Sequence, residues 1–181
     1  MHLLNTLLKA LPEYQALKEH SEHNIPCAIT GLSAIHRAHM TAALHQDTGR
    51  QVLVVCQDDL ATARMAEELT GFLGETPPVL PTRELCLLGG TVSRGWEQQR
   101  LGMLYQLTQG GYPVLLASAE ALSLRTIPPS VLGGSAISLV TGGSYNLDEL
   151  LQRLTALGYR RSTLVEGAGQ FALRGGILDV Y

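Results

Sequence analysis

The sequence predicts an α/β fold: a mainly parallel sheet with helices on both faces, followed by part of a small, mostly antiparallel β domain. Two observations support this prediction. Short apolar runs alternate with helical patterns as far as Leu157, which is typical of successive strand–helix units around a parallel sheet. After Gly158, strand-like pieces are separated by glycine-containing turns, and no helical pattern lies between them.

The strands are predicted from short apolar runs that lie between turn residues. The clearest is Gln51–Cys56, because its continuous β-branched run suits a strand that is buried on both faces. Shorter runs predict the other strands of the first sheet at 26–30, 79–80, 114–117 and 137–140. The strands predicted for the second part are 162–165, 170–173 and 177–181.

Helices are predicted where apolar residues recur every three or four positions. Asp58 or Asp59 is expected to cap a helix that ends before Gly74, and Asn146 to cap another with Glu149 at its third position. Residues 3–22 are predicted to be helical, with a second short piece after Pro12. The remaining helices are predicted at about 35–45, 59–72, 96–107, 119–124 and 147–157.

The change of rhythm places a domain boundary near residues 143–160. We predict an α/β domain at 1–145 and the start of an α+β domain at 146–181, with a loop rich in glycine and threonine at 81–93. The strand pattern still continues at Val180 and Tyr181. We therefore expect the second domain to be incomplete within these residues.

Composition and charge disfavour several classes of function. Apolar residues make up 45% of the 181 residues, which suits an ordered globular chain. The formal net charge is −3 and there is no cluster of lysines and arginines, so direct DNA binding is disfavoured. Cys27, Cys56 and Cys86 fit no metal-ligand spacing. No apolar stretch is long enough to span a membrane, and we expect a cytoplasmic protein.

One stretch comes close to a phosphate-binding loop, whose pattern is G-x-x-x-x-G-K-[ST] between a buried strand and a helix. Gly31 stands at the first glycine, after the predicted strand at 26–30. His36 replaces the second glycine, Arg37 the lysine and Ala38 the hydroxyl that holds magnesium. This loop is therefore predicted to bind neither nucleotide nor metal. If no motif is assumed, the stretch is an ordinary strand, a turn with one glycine, and a helix.

Two acidic residues after the clearest strand have two explanations. An apolar strand followed by Asp58 and Asp59 can be a magnesium-binding Walker B motif, but Gln57 intervenes and a helix begins directly afterwards. Helix capping explains both residues more simply. His36 and His39 are three residues apart on a helix, yet no third metal ligand is nearby.

The final part of the chain carries a specific resemblance. Gly158-Tyr159-Arg160-Arg161 is followed by Val165-Glu166-Gly167-Ala168-Gly169-Gln170-Phe171 and then by Arg174-Gly175-Gly176-Ile177-Leu178-Asp179-Val180-Tyr181. These stretches resemble the bacterial transcription-repair coupling factors and, more distantly, the excision-repair helicase subunit UvrB. Ile29-Thr30-Gly31-Leu32-Ser33 resembles the degenerate loop of the coupling factors.

This resemblance implies a UvrB-like module. Its first part would be a RecA-like α/β domain without ATPase activity, and its second a small, mostly β domain that recruits the damage sensor UvrA. Carried over by motif position, the implied UvrA contacts are Arg160 or Arg161, Arg174, and the apolar anchors Phe171 and Tyr181. UvrB has an additional arginine where Ala172 stands here. Without the resemblance, each arginine would be taken for a solvated surface charge.

The resemblance also implies properties of a longer protein. It would be an ATP-dependent DNA translocase that displaces RNA polymerase from double-stranded DNA, with its ATP and magnesium site outside residues 1–181. The α/β domain would also clamp the second domain against the translocase. The alternative is the amino-terminal fragment of a UvrB-type or other P-loop ATPase with an atypical nucleotide site.

Overall fold

The computed structural model describes residues 2–83 and 94–181. Two compact units divide the chain: Met1–Arg83 with Gln109–Arg125, and Glu84–Thr108 with Thr126–Tyr181. The second unit therefore takes more of the chain than the predicted domain at 146–181. Compactness alone does not mark where a domain begins, so that boundary stays a prediction. Cys86 and most of the predicted loop at 81–93 lie outside the described residues.

The first unit is a three-stranded parallel sheet flanked by helices, which confirms the predicted fold class for this part. Its strands are β1 (Val52–Cys56), β2 (Val79–Leu80) and β3 (Val114–Ser118). They lie in the order β1-β3-β2, and both pairings are parallel. The helices of this unit are α1 (His2–Lys9), α2 (Pro12–Glu22), α3 (Ala34–Thr48), α4 (Asp59–Leu73) and α6 (Ala119–Ser123).

The core of the first unit is built from small side chains on two helices against the central strand. All five residues of β3 are buried, as expected for a strand with neighbours on both sides and helices packed on it. Small residues on α3 and α4 bring these helices close to β3. The buried cluster consists of Ala38, Ala42, Ala66, Leu69, Val114 and Leu116.

In its described residues, 94–108 and 126–181, the second unit contains three helices and a small mixed sheet. The helices are α5 (Arg94–Thr108), α7 (Pro129–Ser135) and α8 (Leu147–Ala156), and the strands are β4 (Arg160–Arg161), β5 (Gln170–Arg174) and β6 (Ile177–Val180). The strand order is β4-β5-β6, with β4 parallel and β6 antiparallel to β5. The parallel pairing of β4 differs from the antiparallel pattern that the sequence predicted.

Three predicted strands are wrong. Residues 26–30, 137–140 and 162–165 are not strands in the structure, and β4 ends directly before the last of these ranges. These short apolar runs have the composition of a strand. A strand forms only where an adjacent strand completes its hydrogen-bond ladder. Helix α7 was not predicted; it begins at Pro129, where the fixed φ of proline suits a first helical position.

The predicted caps are confirmed by hydrogen bonds. The Asp58 carboxylate accepts from the backbone N–H of Ala61 at 2.7 Å. Asn146 Oδ1 accepts from the N–H groups of Asp148 and Glu149 at 3.0 and 3.3 Å. Side chains at the N-cap supply acceptors to the first helical N–H groups, which have no partner inside the helix.

Helix α8 ends in a left-handed turn that leads directly into β4. Gly158 has a φ of +87°, and its N–H donates to the Thr155 carbonyl at 3.0 Å. The Tyr159 N–H donates to the Leu154 carbonyl, also at 3.0 Å. This pair of bonds is a Schellman motif, which glycine favours because it lacks a Cβ. The motif fixes where the chain leaves the helix and so where Arg160 begins the strand.

A two-residue turn joins β5 to β6. Gly175 and Gly176 have φ values of +54° and +89°, and the flanking Arg174 and Ile177 are cross-strand partners. Positive φ at both central positions is the geometry of a type I′ turn, whose twist matches that of the flanking strands. The turn therefore sets the register of the whole hairpin.

We predict that Gly176→Ala destabilises the chain by about 1–2 kcal/mol, because an L side chain is strained at positive φ. No heavy atom lies within 4 Å of the position that the new Cβ would take, so the cost comes from the backbone alone. Denaturant unfolding measures it. Gly71→Ala is the control: Gly71 lies in α4 with equal free space, and there alanine is expected to stabilise by up to about 1 kcal/mol. Equal effects of the two variants would contradict the turn assignment.

A buried tyrosine fastens α2 to α3. Tyr14 is fully buried, and its hydroxyl donates to Asp47 Oδ2 at 2.8 Å. Lys9 forms an ion pair with the same carboxylate. Burial raises the pKa of Tyr14, and the hydrogen bond to Asp47 raises it further. Burial alone would raise the pKa of Asp47, but the hydrogen bonds from Lys9 and Tyr14 outweigh it, and the pKa of Asp47 is lowered.

We predict that Tyr14→Phe lowers the free energy of unfolding by about 1–2 kcal/mol, because the Asp47 carboxylate loses a buried donor. Tyr181→Phe serves as the control, since Tyr181 is exposed and its change is expected to stay within about 0.5 kcal/mol. Urea unfolding of the full chain compares the two. If Tyr14→Phe costs no more than Tyr181→Phe, the hydrogen bond does not stabilise this part of the fold.

Candidate functional site

The degenerate phosphate-binding loop lies at the start of α3. Gly31 adopts a φ of +79°, as the predicted turn requires, but no strand precedes it. Helix α3 begins at Ala34, so residues that the motif needs as a phosphate-cradling loop are already helical. The spacing from Gly31 is therefore met in sequence, whereas the geometry of the loop is not.

The three altered positions have structural partners. A hydrogen bond of 3.0 Å joins Ser33 Oγ and His36 Nδ1, and Arg37 Nη1 donates to the Leu32 carbonyl oxygen at 3.5 Å. Ala38, which stands where the magnesium-binding hydroxyl would be, is fully buried in the core cluster with Ala42. That position therefore packs the helix onto the sheet instead of facing a ligand.

A groove of about 500 Å³ lies beside this loop within the first unit. Most of its lining is apolar, including Ile29, Leu32 and Met40, and Arg37 is the only charged residue that lines it. A triphosphate requires several donors and cations together with a metal ligand. Neither the lining of this groove nor the loop supplies that set.

The two aspartates after β1 serve the fold. Asp58 caps α4, as described above. Asp59 Oδ1 accepts from Thr82 Oγ1 at 2.7 Å, and Thr82 Oγ1 lies 3.0 Å from Ser118 Oγ. These contacts link the carboxyl ends of the three strands. Within residues 2–83 and 94–181, histidine, cysteine and acidic side chains form no group of three or more that could hold a metal ion.

The predicted arginines lie on the small sheet of the second unit, and the register of its strands assigns each of them to a face. Arg160 is paired with Gln170 and Arg161 with Phe171. Partners in adjacent strands share a face, and successive residues along a strand alternate between faces. Arg160 therefore lies on the face of Gln170, whereas Arg161 lies on the face of Phe171.

The hairpin extends both faces. Arg174 is paired with Ile177 and Ala172 with Asp179, and the backbone of Tyr181 is bonded to that of Gln170 at 3.0 Å. One face, here called the arginine face, therefore carries Arg160, Gln170, Ala172, Arg174, Ile177, Asp179 and Tyr181. The opposite face carries Arg161, Phe171, Leu173, Leu178 and Val180.

The arginine face combines cations with exposed apolar groups. Arg160 and Arg174 are exposed, and Ile177 and Tyr181 are each 65% exposed. The Arg174 Nη2 donates to Asp179 Oδ2 at 2.6 Å. Two arginines and one aspartate leave this face with a net charge of +1. Such a surface suits a partner that presents carboxylates next to an apolar patch.

Two of the residues implied by the resemblance do not belong to this face. Phe171 is only 2% exposed, so it is a buried residue and not a surface anchor. Arg161 is exposed but lies on the opposite face. Conversely, Ile177 and Asp179 were not predicted. The paired glycines of the turn would have identified them, because the type I′ turn fixes which residues oppose Arg174 and Ala172.

The part of the chain that contains the arginine face is similar to a known protein family. Residues 137–181, which include the whole arginine face, match the family model of the UvrB interaction domain. This part of the chain is therefore similar to the UvrB interaction domain.

A comparison over most of the chain is more specific. The chain is 34% identical to a transcription-repair-coupling factor of Myxococcus xanthus, over an alignment of 160 residues that covers 83% of the chain. The identity to the Bacillus subtilis strain 168 factor is 30% over 84% of the chain, and to the Staphylococcus aureus strain USA300 factor 25% over its full length. The chain is thus a homologue of the transcription-repair-coupling factors. It spans only 13% to 16% of the length of these relatives.

We predict that millimolar ATP with magnesium leaves the melting temperature of the chain unchanged, because the loop lacks the geometry, the cations and the metal ligand of a nucleotide site. A ligand at 100 times its dissociation constant would stabilise the fold by about 2.7 kcal/mol, or about 5–10 °C for a chain of this size. Thermal unfolding with and without nucleotide measures the shift. A magnesium-dependent increase of several degrees would restore the P-loop ATPase alternative.

Proposed function

We propose that this chain is a non-catalytic docking module that recruits UvrA in transcription-coupled nucleotide excision repair, and that the arginine face is the docking surface. The observation that carries the proposal is that the exposed residues Arg160, Arg174 and Tyr181 lie on one face of the small sheet, around the buried Ala172, within the residues that match the UvrB interaction domain. In the sequence these residues are up to twenty-one positions apart; the strand register brings them together.

The chemistry of this face suits a protein partner. Arginine and tyrosine are among the residues that contribute most to binding at interfaces. A guanidinium group forms charge-assisted, often paired hydrogen bonds with a carboxylate, and an aromatic ring buries a large area with few rotatable bonds. The acidic overall charge of −3 argues against nucleic acid as the partner of this segment, because a DNA-binding surface is strongly basic.

In this proposal the first unit is a structural part of the module and binds no nucleotide. Ala38, at the position of the motif's magnesium-binding hydroxyl, belongs to the core cluster, so this position does not contribute to a nucleotide cradle. In the part of the chain that the structure describes, the helices are too short or too polar to cross a membrane. We place the module in the cytoplasm, where transcription and repair occur.

For the longer protein of which the relatives are examples, we propose an ATP-dependent DNA translocase that acts on RNA polymerase stalled at damage on double-stranded DNA. Its ATP and magnesium would bind outside residues 1–181. The supporting observation is the similarity to transcription-repair-coupling factors over most of this chain. The module would then link a stalled polymerase to UvrA.

We predict that Arg160→Ala weakens the binding of UvrA by about 5-fold or more, since a contact arginine at an interface centre contributes about 1–3 kcal/mol. The matched control is Arg161→Ala. It removes the same side chain from the adjacent position on the opposite face, and we expect less than a twofold change. Titration of labelled full chain with purified UvrA measures both affinities. Thermal unfolding of each variant verifies that the fold is intact.

The comparison of these two neighbours distinguishes a specific face from general electrostatic attraction. If both variants weaken binding equally, overall charge accounts for the effect and the face assignment is wrong. If only Arg161→Ala weakens it, the docking surface lies on the face of Phe171.

A further inference from the structure

One feature of the arginine face is an ion pair within the chain. Arg174 and Asp179 lie on adjacent strands of the hairpin, and Arg174 Nη2 is 2.6 Å from Asp179 Oδ2. The two residues are diagonal neighbours, because Arg174 opposes Ile177 and Asp179 opposes Ala172. Their side chains are 57% and 38% exposed. The pair therefore lies at the surface, where a partner can reach it.

The backbone of Asp179 is held in place by strand pairing. It belongs to the ladder between β5 and β6, and the Gly175–Gly176 turn fixes the register of that ladder. The carboxylate is thus attached to a fixed point through a short side chain with two rotatable bonds. Arg174, by contrast, has a long side chain with many rotamers, which an exposed position does not restrict.

We propose that Asp179 is a positioning residue for UvrA docking: its carboxylate holds the Arg174 guanidinium in place on the arginine face before the partner arrives. This inference rests on the proposed function. The guanidinium has five N–H donors, and the bond to Asp179 uses one of its terminal nitrogens. The remaining donors stay available for a carboxylate of the partner, so the internal pair and an external bond can coexist.

The expected benefit is entropic. Immobilising a long side chain at an interface weakens binding by roughly 2- to 10-fold, and prior ordering avoids that loss. The negative charge of Asp179 acts in the opposite direction, because it repels an acidic partner. That repulsion is weak between exposed groups, because the high dielectric constant of water reduces it at short range and salt screens it at separations beyond about 8 Å at physiological ionic strength. We therefore expect positioning to outweigh repulsion.

A purely stabilising role for this pair is disfavoured. Exposed ion pairs contribute little to folding, and the hairpin already has its ladder and its turn. The expected signature is therefore a change in UvrA affinity without a change in melting temperature.

A double-mutant cycle on the full chain tests the proposal, with UvrA affinity and melting temperature measured for Asp179→Ala, Arg174→Ala and the double variant. We expect Asp179→Ala to weaken binding roughly 2- to 10-fold when Arg174 is present and to have no further effect when Arg174 is alanine. Asp179→Asn keeps an oxygen acceptor at the same reach and should retain part of the affinity. It also serves as the second variant if Asp179→Ala unfolds.

The outcomes separate this inference from the proposed function. Unchanged or tighter binding by Asp179→Ala, while Arg174→Ala weakens it, overturns the positioning role alone. An equal loss with and without Arg174 means that Asp179 contacts UvrA directly, which also overturns it. If Arg174→Ala itself leaves binding unchanged, the arginine face is not the docking surface, and both the inference and the site assignment fail.

Discussion

The geometry of the small sheet depends on the register of β5 with its two neighbours. The Gly175–Gly176 turn sets the register on one side, and the Schellman end of α8 positions β4 on the other. Because side chains alternate along a strand, a shift of one residue would move Arg174 to the opposite face. Two glycine-dependent turns thus decide which side chains share the surface that we propose as the docking site.

The first unit illustrates how a nucleotide-binding position can become part of a core. Ala38 would have to carry a hydroxyl and face a metal in a working phosphate-binding loop, yet its methyl group is buried in the core cluster that also contains residues of α4 and β3. A close-packed core resists added volume and buried polar atoms. Restoring the motif residue by residue would therefore disturb the packing of the first unit. This coupling supports a scaffold role for the unit.

Much of the fold could be predicted from the sequence, because the relevant signals are local. The caps at Asp58 and Asn146 and the strands β1 and β3 follow from side-chain chemistry within a few residues. The strand expected at 26–30 failed because strand formation depends on a partner, which a local apolar run does not reveal. For the same reason the sequence left Arg160 and Arg161 equivalent. Only the pairing of β4 with β5 separates them, and the pairing of β5 with β6 places Asp179 beside Arg174.

The most direct test of the docking surface is an experimental structure of the full chain bound to UvrA. We expect Arg160, Arg174 and Tyr181 to be buried at the interface, with carboxylates of UvrA against the two guanidinium groups, and Arg161 to remain in solvent. An interface formed by the face of Phe171, or by the first unit around Arg37, would contradict it.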